Sequence, residues 1–310
     1  MKTLQKTAIS AAAVALLAGL STAAFAADEP AAPEVSPITA NVTVASNYIY
    51  RGLTQTNNKP AIQGGFDYAH ESGFYVGNWN SNISWISDGY NNPQSINGGA
   101  GGHSVSAPIE MDFYAGFKKE FIGEGFASDF GVLQYYYPVT GMMANAPTGA
   151  QLQVFPSYRQ SSGASPSTTE IYAAQNFTAG PVAGFFKFSY ALSNLFGIYN
   201  SKGSFYPDLT ANYDTGFYGI TVNAHVGYQY VPNNIVTTST LAGAGNGGTW
   251  NLSYADWKLG LTKDFGGGLS GSAYYTGTSA QKVGSTYVYS TPMGGNAGRG
   301  NAVVALTKTF

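Results

Sequence analysis

Between residues 217 and 230 the chain reads FYGITVNAHVGYQY. Every even position there is apolar or aromatic (Tyr218, Ile220, Val222, Ala224, Val226, Tyr228, Tyr230), whereas Gly219, Thr221, Asn223, His225, Gly227 and Gln229 are polar or small. Alternate side chains of a strand point to opposite faces, so this segment has one greasy face and one wet face. A strand of a soluble sandwich alternates too. Tyrosines at both ends with aliphatics between them instead match an aromatic girdle around a lipid-facing band.

The same period recurs along the chain. In 38–53, Ile38, Ala40, Val42, Val44, Tyr48 and Tyr50 share one face, with Thr39, Asn41, Thr43, Asn47 and Arg51 on the other. In 109–121, Ile109, Met111, Phe113, Ala115 and Phe117 oppose Glu110, Asp112, Tyr114, Gly116 and Lys118. The segments 182–192 and 252–265 alternate likewise, and weaker ones lie near 60–70, 73–83, 126–137, 170–178, 204–214, 269–277 and 300–310, making twelve in all. Short turns (71–73, 122–125, 179–181, 214–216, 266–268) alternate with long connections (84–108, 138–169, 193–203, 231–250, 278–298), apart from a short turn at 55–59. An even strand number with short turns at one end and long loops at the other is the plan of a bacterial outer-membrane barrel. The expected fold is all-β: a transmembrane antiparallel up-and-down β-barrel of about twelve strands over 38–310.

Composition agrees. Only 10% of residues are charged and 15% are aromatic, and there are 40 glycines. A soluble domain carries roughly 25% charged residues. So few charges build a water-facing surface poorly, and so many aromatics exclude disorder. The net charge of −2, with no basic run, excludes a nucleic-acid partner. The absence of cysteine rules out disulfides, thiolate metal sites and cysteine nucleophiles. Residues 1–26 read as a cleaved secretory signal, with Lys2 and Lys6 ahead of an apolar stretch and Ala24-Phe25-Ala26 at the cleavage site. Residues 27–37 (ADEPAAPEVSP) read as a Pro/Ala-rich linker. Phe310 ends the chain after Ala302, Val304 and Leu306 at alternate positions, a pattern suited to the outer-membrane assembly machinery, although Lys308 takes a place usually apolar.

The block from Asn41 to Thr56 (NVTVASNYIYRGLTQT), continued by PAIQGGFDY at 60–68, resembles the TorF porin family of Gram-negative bacteria. The resemblance is sharpest over 41–85 and at the Thr307-Lys308-Thr309-Phe310 end. It implies an outer-membrane barrel with a pore and supplies no substrate.

Alternation assigns Arg51, Asp67, Glu110, Asp112, Lys118, Asp129, Lys187, His225, Asp256 and Lys258 to the lumen. Lys118 is expected opposite Asp129, and His225 near Asp256. Inward charges bias permeant ions; the competing reading is a set of salt bridges that plug and stiffen the barrel. The 138–169 loop, with Met142, Met143, Val154, Phe155 and Pro156, is expected either to fold inward or to cover the outer mouth. The function expected is passive diffusion of small polar or ionic solutes through the outer membrane, with lipid around the barrel. The alternatives are a non-transporting adhesin or structural barrel, and a barrel hydrolase or acyltransferase using His225. The other two histidines suit that chemistry less, since His70-Glu71-Ser72 lies at a short turn and His103 in a glycine-rich loop. No metal spacing, phosphate loop or nucleophile elbow is present, so no enzyme activity, metal or cofactor is expected.

Overall fold

The computed structural model describes residues 36–91, 105–141, 165–198, 200–232, 235–236, 249–283 and 286–310. Its frame is β1 (Ile38–Ala45), β2 (Ala61–Ala69), β3 (Phe74–Asn82), β4 (Ile109–Gly123), β5 (Phe126–Tyr136) and β6 (Thr168–Ala179). It continues through β7 (Val182–Ala191), β8 (Phe205–Asp214), β9 (Ile220–Gln229), β10 (Tyr254–Gly266), β11 (Leu269–Thr278) and β12 (Asn301–Thr309). Each strand pairs antiparallel with its neighbours in sequence, and β12 returns to β1 with Val42 opposite Lys308, which closes a twelve-stranded barrel. Closure matters because only helices and closed barrels satisfy every backbone group in lipid. No helix among the described residues is long and apolar enough to span a membrane.

The two faces are inverted relative to a soluble protein. Val226, Leu259, Leu261, Val304 and Leu306 stand outward, each more than half exposed, while Thr210, Asn212, Asn223 and Thr262 on the inner face are buried. Exposed aromatics edge this belt: Phe121, Phe265 and Phe310 at the short-turn end, and Tyr136, Tyr190 and Tyr228 at the long-loop end. A continuous apolar surface of this kind is unfavourable in water and favourable in hydrocarbon.

Part of the glycine content has a packing cause. Tyr75 and Tyr172 point into the barrel over glycines directly opposite them, Gly116 and Gly131, and a Cβ at either glycine would collide with the phenol. The rings cover the bare backbone and bring the two hydroxyls together. Gly131→Val displaces Tyr172 and should lower unfolding free energy by about 1–3 kcal/mol, the usual cost of overpacking. Gly123→Ala, whose Cβ meets nothing within 4 Å, should be neutral. Urea unfolding in lipid vesicles measures both.

One expectation is corrected. The alternation in 38–53 does not continue as a single strand: β1 stops at Ala45, and residues 46–60 turn into the barrel. Inside, Ile49–Tyr50 pairs with Leu53–Thr54 in a small hairpin. Its two turn residues, Arg51 (φ 43°) and Gly52 (φ 74°), are both left-handed, as a two-residue hairpin turn of this kind requires. Tyr48 is therefore buried in the interior, and Tyr50 packs on Tyr135 instead of lying in the outer girdle.

Candidate functional site: a charged lumen crossed by an arginine

Arg51 has no glycine-like freedom, and holding it at positive φ costs about 1–3 kcal/mol. Its side chain supplies the compensation. One guanidinium nitrogen donates to Glu170 Oε2 at 2.7 Å; the other donates to Glu170 Oε1 at 3.1 Å and to Gln229 Oε1 at 2.6 Å. The guanidinium also lies over the Tyr206 ring, 4.2 Å from its centroid, and beside Tyr50 at 4.9 Å. Glu170 is on β6 and Gln229 on β9, so a residue from the β1–β2 connection is clamped to the far wall of the barrel. A forked, two-point Arg–carboxylate pair fixes direction as well as distance. Nothing local in the sequence announces it, because the partners are 119 and 178 residues away.

The inserted segment is held at other points too. Tyr50 and Tyr135 share a 2.6 Å hydrogen bond, and Tyr48 donates to Glu110 at 2.7 Å, as Tyr137 does at 2.9 Å. Burial, with the Glu110 carboxylate alongside, pushes the Tyr48 and Tyr137 phenols well above their usual range, so both remain O–H donors. At the long-loop end the Phe196 ring meets Tyr50, Trp85, Tyr135 and Tyr137 at centroid distances of 5.1–6.5 Å. Trp85 opens the short helix α1 (Trp85–Tyr90), and its amide and that of the preceding Ser84 donate to the Gln55 carbonyl in the inserted segment. Three connections and the end of β5 thus converge in an apolar cluster at that end.

The remaining residues assigned to the lumen lie on the inner face. Asp67, Glu110, Asp112, Asp129 and Asp256 are buried, and Lys118, Lys187, His225 and Lys258 are partly so. Lys118 and Asp129 are direct cross-strand partners. Asp129 takes its hydrogen bond from Tyr75 at 2.6 Å, which in turn shares its hydroxyl with Tyr172. Lys187 stands 5.8 Å from the Tyr172 ring centroid and Lys258 stands 5.3 Å from that of Tyr274. Two inner-face carboxylates, Glu170 and Asp208, were not among the residues singled out from the sequence. Their parity shows it in retrospect: Glu170 falls in step with Tyr172 and Ala174, and Asp208 with Tyr206 and Thr210.

His225 and Asp256 are brought together diagonally. The direct partner of His225 is Lys258, and that of Asp256 is Gly227. The His225 ring nevertheless bridges two carboxylates, with Nε2 at 2.9 Å from Asp256 and Nδ1 at 3.0 Å from Asp208. Thr210 donates to Asp208 at 3.0 Å and Tyr206 to Asp256 at 2.8 Å. A hydrolytic centre needs one ring nitrogen free to take a proton from a nucleophile. Here both nitrogens face carboxylates at 2.9 and 3.0 Å. Although the Tyr206 and Thr210 hydroxyls also lie 3.1 Å from Nε2 and Nδ1, both donate to those carboxylates, so the geometry is that of a brace. His70 Nδ1 and Ser72 Oγ lie 2.8 Å apart at the exposed β2–β3 turn, where the ring nitrogen also accepts from the Ser72 amide. No group of three or more His, Asp or Glu among the described residues is arranged to hold a metal ion. His103 and the Met142, Met143, Val154, Phe155 and Pro156 part of the 138–169 loop lie outside the described residues.

The fold and its interior define a membrane-type β-barrel with an ionisable lumen. Within that class, the chain belongs to a family of bacterial proteins of unknown function (Gcw_chp), whose profile matches residues 27–310. No curated protein matches the chain. Among solved structures, the KdgM porin is 5% identical and aligns over 88% of this chain and 99% of its own, with a TM-score of 0.47. The toluene transporter TodX of Pseudomonas putida is 9% identical over 90% and 89%, with a TM-score of 0.45. OprD of Pseudomonas aeruginosa is 10% identical over 90% and 67%, with a TM-score of 0.36. These neighbours are porins and transporters; the fold assignment here rests on the closed ladder itself.

Proposed function

We propose that the protein is a narrow outer-membrane channel for passive diffusion of small polar or ionic solutes, of the TorF porin type. On this reading it is exported by the signal at 1–26, delivered to the assembly machinery through the segment ending at Phe310, and surrounded by outer-membrane lipid. The observation that carries the reading is the inner face. A barrel needing only a stable core would fill it with apolar side chains, since taking charge out of water is expensive. This one places Asp67, Asp112, Lys118, Asp129, Lys187 and Lys258 there instead.

Purified protein in planar bilayers should conduct in discrete steps. The step size should change when Lys118 and Asp129, direct partners across β4 and β5, are neutralised as K118Q/D129N. A folded, inserted protein that never conducts supports the second reading, a non-transporting surface barrel. One observation favours that reading specifically: the Arg51 crossing and the Phe196 cluster occupy the lumen at the long-loop end.

A further inference from the structure

The charges of the inner face are not mixed evenly. Glu170 is paired with Arg51, Asp208 and Asp256 flank His225, and Asp129 stands in register with Lys118. Asp129 and Lys118 are register partners without being within ion-pair distance. Three further carboxylates of the inner face have, among the described residues, neither a basic group within ion-pair distance nor a basic register partner: Asp67 on β2, and Glu110 and Asp112 on β4. All three are at least 97% buried. Their donors are neutral phenols, from Tyr114 to Asp67 and from Tyr48 and Tyr137 to Glu110. Asp67 Oδ2 and Asp112 Oδ1 are buried and have no hydrogen-bond partner at all.

The register stacks the three along one wall. Asp67, Gly77 and Tyr114 are successive cross-strand partners at one level, and Asp112 and Glu110 follow Tyr114 at alternate positions toward the long-loop end. Same-face residues of a strand are about 7 Å apart, twice the ~3.4 Å rise per residue. The result is a ladder of acceptor oxygens on the β2–β4 side with nothing positive beside it. A row of acidic groups with no base beside it makes the potential along that wall negative, which favours cations over anions.

We propose that Asp67, Asp112 and Glu110 form a cation-selecting wall, so that the channel passes small monovalent cations in preference to anions. This rests on the channel reading above. The test is the reversal potential of the purified full-length barrel in a planar bilayer under a KCl gradient, for the wild type and for D112N and E110Q/D112N. The expected wild-type potential has the sign of K⁺ preference, and the substitutions move it toward zero. A wild type that conducts K⁺ and Cl⁻ equally, or prefers Cl⁻, overturns the inference without any variant having to fold. So does a K⁺ preference unchanged in the variants; in each of these cases the channel itself stands. Absence of any current from folded protein, in both the wild type and R51N, removes the channel reading and the selectivity with it.

Discussion

Arg51→Asn will widen and loosen the pore: single-channel conductance in planar bilayers rises and the open level becomes noisier than in the wild type. The substitution isolates the guanidinium from the turn that carries it. Asn before Gly is favoured at both left-handed positions of a two-residue hairpin, so the loop keeps its shape while the bonds to Glu170 and Gln229 are lost. Stability falls as well. Removing one partner of a buried ion pair costs ~3–5 kcal/mol, and relief of the strained φ returns about 1–3 kcal/mol. The net loss should be about 2 kcal/mol in urea unfolding. Arg51→Lys keeps the charge and loses the fork, so its conductance should fall between the two. Conductance identical in R51N and wild type would mean that the segment at 46–60 does not limit the pore.

The second large effect concerns the outer wall. Leu259 lies midway along β10, points outward and is 56% exposed. Leu259→Arg places a guanidinium near the centre of the hydrocarbon and should cost about 2–4 kcal/mol, measured by urea unfolding in lipid vesicles. Ile38→Arg, also outward but at the first residue of β1, should cost only ~0–1 kcal/mol, because charge near the interface reaches water. Equal losses would mean that the apolar face does not contact lipid. An arginine on the inner face is no simple control here, since Asn223 is buried and bonded to Asn212 and Thr262.

Strand number, hairpin order and facing were legible in the sequence because each rests on local information. Period-two alternation survives in every strand, and turn residues mark the five short connections, so Lys118 and Asp129 could be placed opposite one another by counting from the turn between them. Across the long 231–250 connection the same counting brings His225 near Asp256 without fixing the register: the two meet through a diagonal reach, two residues out of register. The segment at 46–60 misleads for a different reason. Tyr48 and Tyr50 continue the even-position pattern of β1, yet they answer to Glu110 and Tyr135, far along the chain.

What the sequence determined alone was a strand-built wall with hydrocarbon outside and polar groups inside, since neighbouring positions decide which face a side chain takes. The tertiary structure decided what occupies the lumen. Arg51 adopts its backbone conformation because Glu170 and Gln229 wait on strands at the opposite side, and the carboxylates of β2 and β4 stand out only once the ion pairs of Arg51 and His225 have been mapped. Both depend on groups that meet only when β12 closes onto β1, and no local period encodes that meeting.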